Sequence, residues 1–460
     1  MKQIRFFLGL WAAKFLMLIY KIISNEKDDR PGLLAYRFSD DFISRISKPK
    51  LVIAVTGTNG KTTVSNVIND ILKLDGKTIS FNDWGANTLA GDARCLIDSV
   101  NIFNKPRKDV AILEMDEMTS PETIPYIKPN YAIITNICRD SIRRNAYPSF
   151  ILSKLEQAFK NSKDTVLILN ADDPISSFIN VDNKKIYYSL NKQKEEIVKY
   201  NATDFPVCPK CFHEIEYVYQ HYRHIGKVKC QNCSFKSIDA KYKCCNVNYD
   251  KLLLDLEYDN KKVSYSLISP SIFNVFNTLS IISLFKEMGY DDKTLQEYMK
   301  RVKVPLSREN KSSLDGLEID LQIAKGQNVS ATSTVFEHVS HMKENMEIIL
   351  ILDEVCCKKD KTETITWLYE TDFSFLNKEN IKKIIVGSYL SKDYKVSMMM
   401  RGIPEEKIVL VEKEEDTINY VDFKDIDKIM ILYEIEYITK SKMLRDKIIE
   451  KYNEELKNDN

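Results

Sequence analysis

The chain has 460 residues, more than one hydrophobic core usually serves, so more than one domain is expected. Hydrophobic residues make up 44% and charged residues 29% of the chain, as in an ordinary soluble globular protein. The formal net charge of +1 excludes a global field that would attract nucleic acid or membrane, so any such contact must be local and no nucleic-acid partner is predicted.

The N-terminal stretch MKQIRFFLGLWAAKFLMLIY is strongly apolar. Lys14 interrupts the apolar run and no small-residue cleavage site follows, so a signal peptide is not indicated. The run is also too short and too broken to span a bilayer comfortably. The pattern favours an amphipathic helix docked on the first domain, and a helix lying at the membrane surface is the alternative.

A strand, a glycine-bearing turn and a helix are predicted next. LVIAVT is a continuous apolar run, typical of a parallel strand covered on both faces. The turn GTNGKT follows at 57–62, and its backbone N–H groups can face phosphates at the helix N-terminus. Lys61 would bring positive charge to the outer phosphates, and the Thr62 hydroxyl is placed to ligate Mg²⁺.

Further buried strands are predicted over 110–115, 131–136 and 165–170, and their alternation with helices predicts an open, mostly parallel α/β sheet. Polar residues at the carboxyl ends of such strands face the ligand crevice. Glu114 is the favoured further Mg²⁺ ligand, and solvated loop acids are the alternative. The polar residues at these strand ends are Glu114, Asp116, Glu117, Asn136, Arg139, Asp140, Asn170, Asp172 and Asp173.

Two CxxC pairs interrupt this rhythm within 201–245, which reads as an insertion. Cys208, Cys211, Cys230 and Cys233 have the spacing of a structural zinc ribbon, in which four thiolates leave no open catalytic position. The nearby His213, His221 and His224 are expected to be surface residues and not ligands. The ten cysteines include adjacent pairs, which argue against a secreted disulfide framework and fit a reducing cytoplasm.

An amphipathic helix is predicted over 271–290, and a second α/β unit after about residue 312. The strands of that unit are predicted over 346–354, 381–388, 407–413 and 427–434. The predicted boundaries are an N-terminal helical segment (1–45), a central ATPase domain (46–310, with the ribbon inserted at about 201–245) and a C-terminal α/β domain (311–460).

The stretches VTGTNGKTT, EMDE, TNICRD and NADDP together resemble the Mur ligase family of ATP-dependent amide-bond synthetases. The segment Gly85-Ala86-Asn87, the helix start FNVFN at 273–277 and the cysteine ribbon resemble the MurT-type subunits of lipid II isoglutaminyl synthases. The resemblance implies a Mur ligase-like P-loop central domain with an inserted four-cysteine zinc ribbon, followed by a Rossmann-like α/β C-terminal domain.

The resemblance also implies a reaction. ATP would phosphorylate the α-carboxylate of D-glutamate in lipid II, and ammonia from a separate GatD-like glutaminase subunit would attack the acyl phosphate, giving D-isoglutamine. The expected partners are therefore a glutaminase, in a heterodimer, and lipid II at the membrane surface. The expected location is the cytoplasm, with association at the inner face of the membrane left open.

Three further residues follow from the resemblance. Arg308 matches the family's arginine at the domain junction, which contacts ATP phosphate, and Lys325 matches a lysine early in the C-terminal domain, although Gly326-Gln327 replaces the usual Asn-Pro. Asp360 is the favoured acid of a Cys-His-Asp arrangement across the subunit interface, with a solvated charged loop as the alternative. Trp367 matches the tryptophan of that motif.

The predicted catalytic residues are Lys61, Glu114 and Asp360, with ATP, Mg²⁺ and Zn²⁺ as cofactors. Two alternatives stay open: a stand-alone Mur- or folylpolyglutamate-type ligase that uses an amino acid, and a non-catalytic scaffold that binds nucleotide. The predicted nucleotide-binding set is Gly57, Thr58, Asn59, Gly60, Lys61, Thr62, Thr63, Asn87, Glu114, Glu117, Asn136, Arg139, Asp140, Asn170, Asp172, Asn274, Arg308 and Lys325.

Overall fold

A computed structural model describes the chain at residues 2–23, 28–82, 87–139, 147–193, 204–302, 309–314, 316–324, 328–353 and 365–458. The chain divides into two compact units. The first unit holds residues 1–138 and 147–304, and the second holds 139–146 and 305–460.

The first unit contains helices on both faces of one large sheet. Its described helices are α1 (Lys2–Ile23), α2 (Arg30–Phe38), α3 (Phe42–Arg45), α4 (Lys61–Leu74), α5 (Leu89–Ser99), α6 (Ser120–Ile127), α7 (Pro148–Lys160), α8 (Ile272–Glu287) and α9 (Asp292–Arg301). Its strands are β1 (Leu51–Thr56), β2 (Ile79–Phe81), β3 (Val110–Glu114), β4 (Tyr131–Ile134), β5 (Val166–Asn170), β6 (Lys185–Leu190), β7 (Ile215–Tyr222), β8 (Ile225–Cys230), β9 (Tyr242–Asn248), β10 (Leu253–Tyr258) and β11 (Lys261–Ser266).

The large sheet has the order β11-β10-β9-β6-β5-β4-β1-β3-β2. The strands from β9 to β2 pair in parallel, and β10 and β11 add an antiparallel edge. Alternate residues of β1 serve opposite faces, since Val52 and Ala54 join the core formed with α1, α5, α6 and α7, while α4 and α8 pack on the same sheet. The predicted open, mostly parallel α/β sheet is confirmed.

Helix α8 differs from the prediction of an amphipathic helix. Every residue from Val275 to Phe285 is buried, so the helix has no wide solvent face. Its buried serines satisfy their hydroxyls within the helix, because Ser280 Oγ donates to the Asn277 carbonyl at 2.7 Å and Ser283 Oγ donates to the Leu279 carbonyl at 2.7 Å. Serine side chains can therefore lie inside the domain at these positions.

The β7–β8 hairpin forms a two-stranded sheet of its own, outside the large sheet. The chain returns to the large sheet with β9, where Tyr188 of β6 pairs in parallel register with Tyr242. The hairpin is therefore an excursion between two neighbouring strands of the large sheet.

The second unit is a six-stranded sheet with the order β12-β13-β17-β14-β15-β16, parallel except for the β12–β13 hairpin. The four strands predicted from the sequence are present, and β12 and β13 were not predicted. Its described elements are β12 (Glu309–Leu314), β13 (Leu317–Ile323), α10 (Val329–Ser340), β14 (Met346–Ile351), α11 (Thr366–Glu370), β15 (Ile381–Gly387), α12 (Ser391–Met400), β16 (Ile408–Val411), β17 (Lys428–Tyr433) and α13 (Ile438–Asn458).

Candidate functional site

The turn between β1 and α4 lies at the carboxyl edge of the large sheet. Gly57 has φ +115° and Gly60 has φ +93°, backbone conformations that favour glycine. A Cβ on Gly57 would come within 2.4 Å of Thr135 Oγ1, so the loop also needs glycine for its close approach to the end of β4. The first N–H groups of α4 lie directly after this turn, which is the arrangement of an anion-binding loop.

Lys61 is held inside the loop by two acceptors. Its Nζ donates to the Gly57 carbonyl at 2.6 Å and to Glu117 Oε1 at 2.9 Å, and the same Oε1 accepts the Gly57 N–H at 2.8 Å. Burial disfavours the ammonium charge, but the carboxylates of Glu117, Glu114 and Asp116 outweigh it and raise the Lys61 pKa. Lys61 is therefore cationic at neutral pH.

Thr62 and Glu114 come together at the same edge. Thr62 Oγ1 donates to Glu114 Oε1 at 2.9 Å, so a hydroxyl and a carboxylate oxygen converge beside the loop. Asn82 holds the end of β3 in place, because its Nδ2 donates to the Glu114 carbonyl at 2.9 Å and its Oδ1 accepts the Glu114 N–H at 2.8 Å. Hard oxygen donors of this kind suit Mg²⁺, so the residues present fit the ion.

The segment after β4 braces the other side of the loop. The Asn136 side chain accepts the Asn59 N–H at 3.3 Å and donates to the Asn59 carbonyl at 2.9 Å. The Thr58 N–H donates to the Asn136 carbonyl at 2.8 Å, and the Cys138 N–H donates to Thr58 Oγ1 at 3.0 Å. Asn136 therefore fixes the loop's backbone with its own side chain and carbonyl.

The residues after β5 are committed to internal contacts. Asp172 is buried, and its Oδ2 accepts the Leu190 N–H at 2.7 Å. Asp173 accepts the N–H groups of Ile137 and Ile175, each at 2.9 Å. Asn170 is fully buried beneath them, with its Oδ1 accepting the Asp172 N–H at 3.0 Å.

The start of α8 reaches the loop from another part of the chain. A Cβ on Gly60 would lie 2.4 Å from Asn277 Oδ1, so this amide is in contact with the turn. Asn274, in the first turn of α8, accepts a hydrogen bond from Asn277 Nδ2 at 3.1 Å. Asn277 and Asn82 were not predicted as site residues, although Asn277 is part of the FNVFN motif and Asn82 directly follows a strand.

Other predicted residues have contacts of their own. The backbone carbonyl of Asn87 accepts the Asp116 N–H at 3.1 Å. Arg139 is grouped with the second unit, where its guanidinium pairs with the Glu370 carboxylate. Trp367 is buried in the core of the second unit beside Tyr394. The predictions for Gly85, Ala86, Asp140, Arg308, Lys325 and Asp360 lie outside the described residues.

The four cysteines of the two CxxC pairs form one cluster. Their sulfur atoms all lie within 4.8 Å of one another, with 3.6 Å between Cys208 and Cys233 and 3.4 Å between Cys211 and Cys230. These separations are far longer than a disulfide bond of about 2.05 Å. They are near the edge of about 3.8 Å expected for four sulfurs about 2.3 Å from one zinc ion. The cysteine cluster is therefore compatible with a tetrahedral metal site.

The cysteine cluster sits on a very small core of its own. The buried residues of that core are Cys208, Ile215, Val228, Cys230 and Phe235. A core of this size stabilises a segment weakly without a cross-link or a metal. The four sulfur donors and the small size of the core are thus both consistent with a metal that stabilises this segment.

The prediction that the nearby histidines are surface residues is wrong for two of them. His213 is exposed, but His221 and His224 are buried, because they lie at the far end of the hairpin, where it packs into the large domain. His224 Nε2 lies 3.4 Å from Asp173 Oδ1 and its Nδ1 lies 3.6 Å from Asp204 Oδ2. His221 Nε2 lies 2.9 Å from the Leu190 carbonyl. Neither ring belongs to the cysteine cluster.

Comparisons with known proteins agree with this geometry. The Mur ligase middle domain matches residues 55–235, and the MurT ligase C-terminal domain matches residues 326–435. The MurT subunit of lipid II isoglutaminyl synthase (glutamine-hydrolyzing) from Staphylococcus aureus strain COL is 26% identical over 417 residues, covering 90% of this chain and 92% of the relative. Its counterpart from Streptococcus pneumoniae R6 is 24% identical, covering 87% and 88%.

Solved structures share the fold. A pseudomurein peptide ligase type C from Methanothermus fervidus superposes with a TM-score of 0.67 at 19% identity, covering 93% of this chain and 86% of that one. MurF from Acinetobacter baumannii gives a TM-score of 0.62 at 11% identity, covering 91% and 80%. With the P-loop cluster, the cysteine cluster and the two domain matches, this chain belongs to the Mur ligase family and is a ligase of the MurT type.

Proposed function

We propose that this chain is the synthetase subunit of a glutamine-dependent amidotransferase that converts the α-carboxylate of D-glutamate in lipid II to D-isoglutamine. The observation that carries the proposal is the similarity to MurT subunits along about nine-tenths of the chain, which extends past the nucleotide loop into the C-terminal domain. The similarity supports a substrate and a partner that the loop by itself would leave open.

The proposed chemistry proceeds in two steps. A carboxylate oxygen of the substrate attacks the γ-phosphorus of ATP, the bond to the β–γ bridging oxygen breaks, and ADP leaves with its electron pair. Ammonia then attacks the carbonyl carbon of the acyl phosphate, loses a proton and displaces phosphate, which leaves the amide. Activation is needed because a free carboxylate is a poor acyl donor, and phosphoryl transfer depends mainly on positioning and charge neutralisation.

Lys61 provides the fixed positive charge of the proposed site. In the structure its ammonium group contacts Glu117 and the Gly57 carbonyl, beside the backbone N–H groups of the loop. Phosphate oxygens would compete for the same ammonium group and for the Gly57 N–H, so Glu117 would yield both on nucleotide binding. Thr62 and Glu114 would hold Mg²⁺, which when bound would offset phosphate charge.

We further propose that Cys208, Cys211, Cys230 and Cys233 hold a structural Zn²⁺. The compact sulfur cluster and the small core around it support this assignment. A zinc ion with four thiolates has no position for substrate, so its role would be to hold the hairpin together. The chain's proposed location is the cytoplasm, where thiols stay reduced and available to the metal.

The proposed partner is a GatD-like glutaminase that supplies ammonia. This proposal is supported by the similarity to the MurT relatives, which are subunits of glutamine-hydrolysing synthases. Arg308, Lys325 and Asp360 keep the roles that the family resemblance implies, as contacts to nucleotide or to the partner.

The central test removes the charge of Lys61. Lys61→Ala should lower ATP-dependent amidation of lipid II with ammonium by on the order of 10²-fold or more, because phosphate charge would lose its preorganised cation. ADP release and the mass of the lipid product measure this together. Lys73→Ala, an exposed lysine of the same helix, is the matched control and should keep parental activity.

Unchanged amidation by the Lys61→Ala protein would refute the proposed site. The same assay separates the two other candidate functions. A stand-alone ligase would consume ATP with an amino acid in place of ammonium, and a scaffold would bind nucleotide without consuming it on any muropeptide lipid, even with a glutaminase present.

A further inference from the structure

Helix α1 has two apolar faces, and only one of them is covered by the first unit. Phe6, Leu10 and Ala13 are buried in the core, and Gly9 lets the helix approach α2 so closely that a Cβ would lie 2.9 Å from the Ala35 carbonyl. The opposite stripe repeats every three or four residues, with side chains 44% to 73% exposed. This stripe, called the α1 face, consists of Ile4, Leu8, Trp11, Phe15, Leu18 and Ile22.

Polar anchors hold this orientation. Lys14 Nζ donates to the Ile97 carbonyl at 2.8 Å and to the Val100 carbonyl at 2.6 Å, so it caps the carboxyl end of α5. Trp11 Nε1 donates to the Ile102 carbonyl at 2.8 Å. Although α1 is long and apolar enough to cross a membrane, in this docked position it lies along the domain and presents the α1 face outward.

The α1 face is flanked by further exposed apolar residues and by basic residues. Ile102 and Phe103, in the loop that accepts the Trp11 hydrogen bond, are 52% and 66% exposed. Helix α1 contains Lys2, Arg5 and Lys21 as exposed basic residues and no acidic residue. The same loop continues into the sequence KPRK at 105–108. An apolar stripe with basic flanks is typical of a helix that lies in the headgroup region of a membrane.

We propose that the α1 face binds the surface of an anionic lipid bilayer, with the helix parallel to the membrane and its other face still docked on the protein. The spacing of three or four residues between these six side chains also suits helix–helix packing against a second copy of the chain. Although Asp41 lies near Lys2, the helix itself carries exposed basic residues and no acid, so its face would be repelled by the same face of another chain and attracted by anionic headgroups. Charge therefore favours lipid over a second copy.

This inference concerns a surface separate from the nucleotide loop and does not rest on the proposed reaction. The test is vesicle co-sedimentation of the full chain, with phosphatidylglycerol–phosphatidylcholine vesicles and with phosphatidylcholine alone. The parent should bind the anionic vesicles several-fold better. The triple variant Ile4→Ser/Phe15→Ser/Leu18→Ser should lose about tenfold or more of this binding, since three apolar anchors are removed.

A matched triple variant on another exposed apolar patch, Val396→Ser/Met399→Ser/Met400→Ser in α12, should bind vesicles like the parent. Thermal unfolding and ATP binding of each variant check that the fold is retained. Equal vesicle binding by the α1 variant and the parent would overturn the proposal. So would a parent that ignores vesicles but sediments as a dimer that the α1 substitutions dissociate, since the α1 face would then bind a second copy.

Discussion

A single lysine gives the candidate site its positive charge, and the neighbouring acceptors determine which contacts its ammonium group makes. Lys61 shares Glu117 Oε1 with the Gly57 N–H, so one carboxylate oxygen occupies both groups that a phosphate would use. The sequence predicted Lys61, Thr62 and Glu114 as site residues from their order around the strands. Which of the three nearby acids turns toward the lysine depends on the loop's three-dimensional path, which sequence spacing does not determine.

Asp92 is a second titratable residue whose environment is unusual. It is fully buried in α5, and neither carboxyl oxygen has a hydrogen-bond partner among the described residues. Burial raises the Asp92 pKa well above its ordinary value, and the charge of Asp116 raises it further. The folded protein therefore keeps this carboxyl protonated at pH values where the unfolded chain ionises it.

This difference predicts a pH-dependent effect of Asp92→Asn. The unfolded carboxyl loses its proton above a pKa of about 3.9, so parental stability falls as pH rises from there toward the raised folded pKa. The amide does not titrate. The variant should therefore gain melting temperature relative to the parent at pH 8 and lose that advantage near pH 4. A difference between variant and parent that is constant across this range would contradict the assignment.

At the scale of the element, the hairpin of β7 and β8 joins two distant features. Its base carries the cysteine cluster, and its tip places His224 beside Asp173. Asp173 in turn accepts the Ile137 N–H, next to Asn136, which braces the nucleotide loop. The cysteine spacing predicted the base of the hairpin, but nothing in the spacing indicated that its tip enters the domain core.

Metal removal should therefore affect more than the ribbon. A chelator or Cys211→Ser should lower the melting temperature by several degrees, because each 1 kcal/mol of lost stability lowers the melting temperature by about 2–4 °C even in domains of roughly 150–250 residues. ATP affinity should fall as well, since the hairpin supports the segment after β4. Differential scanning calorimetry, elemental analysis and nucleotide titration measure these effects.

Cys245→Ser is the matched control, because Cys245 lies in β9 outside the cysteine cluster. It should keep parental metal content and stability. A Cys211→Ser protein that retains a full equivalent of zinc would show that the four sulfurs do not form the site proposed.

Other elements show where sequence patterns succeed and fail. Continuous apolar runs predicted the central strands of both sheets, because a strand covered on two faces has no polar side. The β12–β13 hairpin was missed, since ENKSSL has a polar sequence and lies at the edge of its sheet. The sequence predicts an amphipathic helix for α8, whereas its buried serines have their hydroxyls satisfied within the helix.

At the scale of the whole molecule, the two units carry different parts of the proposed reaction. The nucleotide loop belongs to the first unit, and the proposed partner-facing acid, Asp360, belongs to the sequence of the second. The Mur ligase middle-domain match lies in the first unit apart from residues 139–146, and the MurT C-terminal match lies in the second. This division predicts that the two half-reactions can be impaired separately.

Asp360→Asn should lower glutamine-dependent amidation while leaving ammonium-dependent amidation nearly intact. The reason is that an acid oriented toward the partner's histidine would support glutamine hydrolysis and not phosphoryl transfer. The measurement is product formation by the complex with each nitrogen source. Equal loss with glutamine and with ammonium would place Asp360 in a structural role.

The buried tip of the hairpin also constrains how this protein can be simplified or have arisen. Deleting the cysteine-rich excursion to leave a plain Mur-type ATPase would extract Tyr222 and His224 from the interior and expose Asp173 beside the nucleotide loop. The excursion therefore cannot be removed without disturbing the domain core. Any ancestor or engineered version without the excursion would need different side chains to fill the same part of the core and support the nucleotide loop.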